Sequence, residues 1–392
     1  MLRKFTVNNF KSLINVTYEP GTVNLLVGVN NSGKTNFCQA LRFFSQTAQG
    51  KQDLRSAWHR TLGWDVAVKN VYFDHPTVDL NCVAELIVHG ESLTFSYSLS
   101  LDTSNTAPVR VATEQLQISG GAFGSGYKTL LENKAGQVRL LNEVRYLKNE
   151  PLEACYEDTT LDFEVTMLSF LHDKQVNGRA IAFRDYLARW QYYDFDISGL
   201  RDDRFETLTI ALNSSGSNLA SALFHLKSND ERYYRRLLEL VKKVEKRLDA
   251  LNFIIVGEHI KMELTDEEGH RFDLSAASGS TLRFMALAYI ILNNARQSNP
   301  PLTIIEEPEN GLYVRYLKLL FELIDPTGGG GQYIFTSHAP YFIDLFENHL
   351  ENITLMEDRG TYSTLLKPDP VKVRKYLEEM PLGELHFHEM LV

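Results

Sequence analysis

Eight residues constrain this chain more than any others. Gly28-Val29-Asn30-Asn31-Ser32-Gly33-Lys34-Thr35 fits the pattern G-x-x-x-x-G-K-[ST]. The apolar run Val23-Asn24-Leu25-Leu26-Val27 precedes it, and a helical pattern begins at Lys34. Strand, glycine loop and helix in this order build a backbone nest whose N–H groups point at phosphate oxygens. The helix N-terminus adds partial positive charge. Gly28, Asn30, Asn31, Ser32, Gly33, Lys34, Thr35 and Asn36 are therefore expected to hold the phosphates of a nucleotide. Lys34 would reach the β- and γ-phosphates, and Thr35 would ligate Mg²⁺. The competing reading is a glycine turn without a ligand, and it does not explain why strand, loop, Lys-Thr pair and helix all fall in register.

Composition narrows the setting. The 392 residues suffice for one large domain or two to three small ones. Acidic residues outnumber basic ones 50 to 40, for a net charge of −10. A protein that coats nucleic acid usually has a basic excess, so DNA contact here would need a local patch or a partner. Cys38, Cys82 and Cys155 are too scattered for a disulfide framework or a zinc site. The N-terminus lacks the apolar core of a signal peptide. The apolar run Phe284–Leu292 is too short to span a bilayer. A cytoplasmic protein with no membrane association is expected.

Along the chain, residues 3–9 and 23–28 read as strands around a turn at Glu19-Pro20-Gly21, followed by a helix from Lys34 to Phe44. Residues 72–118 alternate apolar and polar side chains, the pattern of an antiparallel sheet. Residues 119–215 are mixed, with a helical patch at 178–192. The clearest helical periodicity covers 230–251, where Tyr234, Leu237, Val241, Val244, Leu248 and Leu251 recur every three or four residues. Its basic face carries Arg235, Arg236, Lys242, Lys243, Lys246 and Arg247. A solvated face is the ordinary reading, and a nucleic-acid or partner surface is the alternative. Strands are expected at 252–265, 302–306 and 332–336, helices at 281–295 and 312–325, and a glycine turn at Gly328–Gly331. The expected boundaries are 1–70 for the N-terminal part of an α/β core, 71–120 for an antiparallel β lobe, 121–255 for a mostly helical insertion and 256–392 for the C-terminal part of the core.

Chemistry concentrates again near the C-terminal end. Leu302-Thr303-Ile304-Ile305-Glu306-Glu307-Pro308-Glu309 is an apolar strand that ends in acid. Carboxylates at the C-terminal edge of a parallel sheet suit a Mg²⁺ and water site. Glu306 would stand near the metal, and Glu307 would polarise the attacking water. The strand Tyr333–Ser337 then delivers His338, placed to bond the γ-phosphate or that water. Between them Ser278-Gly279-Ser280 opens a helix and offers a second anion site.

These four elements, in this order, resemble the ATP-binding-cassette (ABC) ATPases, and in particular the branch with the SMC, RecF and OLD-like (overcoming lysogenization defect) ATPases. Asn9-Phe10-Lys11-Ser12-Leu13 looks like that branch too. The resemblance covers about 1–60 and 255–345. It matches Gly28–Thr35 to Walker A, Leu302–Glu307 to Walker B, Ser278-Gly279-Ser280 to the signature and His338 to the switch histidine. It implies a P-loop NTPase of ABC-ATPase head type: a split α/β core with an antiparallel β lobe and a helical insertion. It also implies a head-to-tail homodimer with ATP held between Walker A of one copy and Ser278 of the other. Three departures stand out: Glu306 replaces the usual Asp, the signature is degenerate, and Tyr313 stands where related sequences often carry His. The coupling glutamine falls in the region of Gln115 and Gln117, with no motif to fix either.

The remaining lengths exclude larger relatives. The 243 residues from Thr35 to Ser278 carry about two and a half heptads, far short of a chromosome clamp's arm. With 54 residues after His338, no Toprim nuclease domain is expected at this end. His386 and His388 would share a face of an extended tail near Glu389, but no third metal ligand is evident. The resemblance thus points to a cytoplasmic ATPase without its own effector, one that senses infection and controls a separate nuclease or toxin, encoded nearby, in anti-phage defence. The alternative is a RecF-like repair ATPase that binds DNA directly. A transporter energy subunit fits worst, because no docking segment is evident.

Overall fold

The computed structural model describes residues 1–50, 53–63, 69–73, 75–103, 109–202, 211–257, 259–297, 299–324 and 330–391. Gly328 and Gly329 of the expected glycine turn lie outside the described residues. The strands are β1 (Leu2–Asn8), β2 (Val16–Tyr18), β3 (Val23–Val27), β4 (Thr77–Val88), β5 (Glu91–Asp102), β6 (Arg110–Ser119), β7 (Lys128–Lys134), β8 (Gln137–Leu141) and β9 (Tyr156–Thr160). They continue with β10 (Gln191–Tyr193), β11 (Leu248–Val256), β12 (His259–Asp266), β13 (Arg271–Asp273), β14 (Leu302–Glu306), β15 (Gln332–Ser337), β16 (Ile353–Asp358) and β17 (Ser363–Leu366). The chain divides into two compact units.

The first unit comprises Met1–Gly21, Gly28–Trp190 and Thr354–Lys367. Period-two alternation makes one face of each long strand apolar, and the strands assemble antiparallel in the order β2-β1-β4-β5-β6-β7-β8-β9. The apolar face packs against two helices. Phe5 meets Phe37 and Phe44 of the helix Lys34–Thr47, and Phe95 stacks on Phe183 of the helix Gly178–Ala188. Each ring buried this way contributes roughly 1.5–3 kcal/mol. The helix that opens the phosphate loop is thereby pinned along its whole length.

The second unit comprises Thr22–Val27, Gln191–Ile353 and Pro368–Val392. Four strands pair in parallel in the order β10-β14-β15-β3. β3 and β15 are buried at every residue, as expected for strands covered on both faces. The one polar residue within β3, Asn24, is satisfied by donating to the Tyr333 carbonyl at 2.9 Å. The helix Gly279–Ala295 is buried along almost its whole length. β11, β12 and β13 form a separate antiparallel sheet. Among the described residues, no helix is long and apolar enough to cross a membrane.

Several expected boundaries move. The helix read over 230–251 spans Glu231–Val244, and Leu248 and Leu251 belong to β11. Both leucines are buried, but Leu251 sits in sheet register opposite Leu264. The β-branched run Ile254-Ile255-Val256 favours the extended chain, and the backbone leaves the helix at Glu245. The patch at 178–192 ends as a helix at Ala188, and Gln191–Tyr193 forms β10. The segment 121–255 holds helices and also β7 to β10 and most of β11, so its helical character is partial. The antiparallel sheet continues past residue 118 to Thr160.

Candidate functional site

The phosphate loop leaves β3 at Gly28 and enters its helix at Lys34. Two residues take left-handed backbone conformations, Asn31 at φ 66° and Gly33 at φ 104°. A Cβ on Gly28 would lie 2.5 Å from the Met356 carbonyl oxygen and from Ser32 Oγ. A Cβ on Gly33 would run into the Ser363 hydroxyl. Both glycines are thus required by space, and Gly33 also by its φ. Lys34 is buried, and its Nζ donates to the carbonyls of Gly28 and Val29 at 2.7 and 2.9 Å. Ser32 Oγ is buried without a partner. A buried ammonium, an orphaned hydroxyl and a side-chain-free cradle fit a polyphosphate. Asn30, Asn31 and Thr35 are exposed around the rim.

The Asn9–Leu13 turn braces this loop. Asn36 Nδ2 donates to Ser12 Oγ at 2.9 Å, and the Ser12 and Ser363 hydroxyls are 2.8 Å apart. Lys11 Nζ donates to Gln39 Oε1 at 2.6 Å. Buried Asn9 donates to the carbonyls of His75 and Thr77 and accepts from the Asn70 amide. The motif therefore anchors the first turn of the helix rather than offering free polar groups.

The second unit presents the carboxylates. Glu306 pairs in register with Thr336, and Ser337 with Val27. The C-terminal ends of β14, β15 and β3 thus share one edge of the parallel sheet, and the residue after Val27 is Gly28. Half-buried Glu306 accepts a 2.8 Å hydrogen bond on Oε1 from the hydroxyl of Tyr192. Glu307 sits at φ 42°, held there because its amide donates to the Thr336 carbonyl and hydroxyl, both at 3.2 Å. Its Oε1 lies 3.2 Å from His338 Nδ1, and its Oε2 accepts from Asn310 Nδ2 at 2.7 Å. Glu307 and His338, distant in sequence, are in hydrogen-bond contact, the arrangement a base and its orienting partner require. Below them Glu309 is buried and accepts from the Ser337 hydroxyl, while its Oε2 has no partner. Burial pushes the Glu309 carboxyl above the usual carboxylate range.

Ser278 is the exposed N-cap of the helix Gly279–Ala295. A Cβ on Gly279 would lie 2.6 Å from Ile197 Cδ1, so a larger residue there would displace the Ile197 side chain. Ser280 Oγ is buried without a partner. Arg283, one turn on, donates to the Phe195 carbonyl at 2.7 Å. Exposed Tyr313 caps the helix Val314–Leu323. Gln115 and Gln117 lie within β6, on the face opposite buried Leu116 and Ile118. His386 stands in a short helix, Leu382–Phe387, with His388 at its end, so an extended tail that would align the two is not formed. Tyr192, Asn310, Glu309 and Ser337 escaped the sequence reading as site residues. Glu309 and Ser337 lay inside recognised segments, whereas Tyr192 sits on a three-residue strand that no local pattern marks.

With this geometry in place, comparison with known proteins gives the class. A family model described as "AAA ATPase domain" matches residues 1–243. Another, described as "AAA domain, putative AbiEii toxin, Type IV TA system", matches residues 156–344. The first covers more than half of the chain, and the chain belongs to the AAA ATPase domain family. No curated protein sequence matches it. Among solved structures, an SMC head bound to the C-winged helix domain of ScpA aligns with a TM-score of 0.51 at 13% identity. That alignment covers 93% of this chain and 97% of the other. The SMC head domain from Thermotoga maritima has a TM-score of 0.43 at 11% identity, over 94% and 99% of the two chains. An SMC head from Pyrococcus furiosus, with an extended coiled coil and bound to the C-terminal domain of ScpA, has 0.46 at 12%, over 96% and 98%. The fold is that of an ABC-type ATPase head, a P-loop α/β core split by insertions.

Proposed function

We propose that this protein is an ATP-hydrolysing switch that works as a homodimer. The observation that carries this reading is the contact between Glu307 and His338 at the strand edge where β3 runs into the phosphate loop. Gly28, Asn30, Asn31, Ser32, Gly33, Lys34, Thr35 and Asn36 would hold the triphosphate, and Thr35 and Glu306 would hold Mg²⁺. Mg²⁺ held there would supply charge stabilisation for phosphoryl transfer. Glu307 takes a proton from the attacking water, and His338 keeps that carboxylate oriented. Ser278, Gly279 and Ser280 close the site from the second copy, which the exposure of Ser278 permits. Occupancy of two such sites couples nucleotide state to dimer closure.

The output is a separate effector, a nuclease or toxin, in an OLD-like anti-phage system of the cytoplasm. The toxin–antitoxin wording of one matching family supports that setting. The second reading, a RecF-like repair ATPase, is favoured by the exposed Arg235, Arg236 and Lys243 of the helix Glu231–Val244. Arg235 is already paired with Glu231 at 2.6 Å, and Lys242 with Asp249 at 3.2 Å, which reduces the free charge.

Two variants test the switch. Lys34→Ala should abolish ATP binding in a fluorescent-nucleotide titration. Glu307→Gln should bind ATP, hydrolyse it at least a hundredfold more slowly, and accumulate as dimer in light scattering. Wild-type turnover in Glu307→Gln would remove the carboxylate from its role.

A further inference from the structure

Burying a carboxylate is unfavourable unless its oxygens are bonded. Glu309 is nevertheless 2% exposed, two residues beyond Glu307, and only one of its oxygens has a partner. That partner is Ser337, the last residue of β15 and the neighbour of His338. The Ser337 hydroxyl donates to Glu309 and accepts in turn from the Ala339 amide at 3.0 Å. The two flanks of His338 are therefore tied to one buried oxygen. His338 itself is half exposed, and its contact within the site is the 3.2 Å approach to Glu307. Apart from that contact, the turn that carries His338 is tied down by the Ser337–Glu309 and Ala339–Ser337 hydrogen bonds on either side of it. The loop from Glu307 to Leu312 is rigid enough to serve as anchor, because Asn310 N donates to the Glu307 carbonyl and Leu312 N to that of Glu309, both at 3.0 Å.

We propose that Glu309 is a positioning residue, acting through Ser337 to hold His338 against Glu307. The inference rests on the ATPase reading above. Its chemistry is specific: the brace needs an acceptor at Oε1 and no proton transfer by the carboxyl. A side-chain amide at 309 can supply the same acceptor, and alanine cannot. Displacing a catalytic group by about 1 Å is worth roughly a hundredfold in rate.

The test uses the full-length protein with Glu309→Gln, Glu309→Ala and Ser337→Ala. Glu309→Ala and Ser337→Ala should lower kcat by about a hundredfold with the KM for ATP unchanged. Glu309→Gln should keep kcat within about threefold of wild type. Ser337→Ala deletes a single hydroxyl and keeps the measurement readable if Glu309→Ala fails to fold. A second readout needs no turnover: the His338 ring resonances should shift in Ser337→Ala and stay in place in Glu309→Gln. Loss of activity in Glu309→Gln equal to that in Ser337→Ala would overturn the proposal and make the carboxyl itself the acting group. Unmoved His338 resonances in Ser337→Ala would overturn it as well. If the wild type binds ATP without hydrolysing it, the ATPase reading fails, and the ring resonances still decide the brace.

Discussion

Tyr192→Phe isolates one hydrogen bond at the carboxylate edge. The substitution removes the hydroxyl that donates to Glu306 Oε1 at 2.8 Å and keeps the ring, along with β10 and its register of Gln191–Tyr193 against Thr303–Ile305. A hydrogen bond to an ionised acceptor contributes about 1.5–3 kcal/mol. Glu306 is half-buried, so water compensates part of the loss, and the lower end of about 1.5 kcal/mol applies. If Glu306 is the Mg²⁺ carboxylate, that figure corresponds to a roughly tenfold weaker metal site, within the range for groups that orient a metal ligand. The assay is ATP hydrolysis titrated with Mg²⁺ at saturating ATP. The half-saturating Mg²⁺ concentration should rise about tenfold, and kcat should return at high Mg²⁺. A Mg²⁺ curve that superimposes on wild type would refute the assignment of Glu306 to the metal. A lowered plateau with an unmoved midpoint would mean that Tyr192 serves turnover instead.

Two further outcomes follow from the loop and the buried acid. Gly33→Ala places a Cβ at φ 104° against Ser363, so it should lower stability in urea by at least about 1–2 kcal/mol and prevent ATP binding; unchanged stability would show that the loop relaxes. Burial raises the Glu309 carboxyl, so the folded protein holds that proton more tightly than the unfolded chain. Its contribution to wild-type stability falls as pH rises through the window above the ordinary carboxylate range. Glu309→Gln lacks this dependence. The stability difference between the two proteins should therefore shift in favour of the variant from pH 4 to pH 7, measured by urea denaturation, and a constant difference would contradict the burial argument.

The strand–loop–helix conformation around Gly28–Lys34 is legible because it is written in local residue types. Gly28 and Gly33 are glycines for reasons of space, and the apolar Val23–Val27 run states its own burial. The acid strand and the apolar strand that ends just before His338 are legible for the same reason. What the sequence concealed depends on neighbours far along the chain. Leu248 and Leu251 continue the helical period of Tyr234, Leu237 and Val241, yet they fold into β11 because β12 offers a sheet partner. Tyr192 reaches Glu306 only because a three-residue strand docks beside β14, and nothing within Gln191–Tyr193 predicts that neighbour. Glu309 and Ser337 were in view as letters, but their pairing exists only once β14 and β15 are side by side.

The parallel sheet also sets an order of events on the ribosome. β3 is buried at every residue, and the carbonyl that satisfies its Asn24 side chain belongs to Tyr333, 309 residues further on. The first unit can pair eight antiparallel strands from its first 160 residues, while the strand feeding the phosphate loop waits for β15 to be synthesised. Such distant pairing is slow and leaves an apolar edge open meanwhile. A chain terminated before residue 332 would therefore display Val23–Val27 unpaired by β15 and be a substrate for chaperones or proteases, so nascent fragments of this protein should be cleared before they can bind nucleotide.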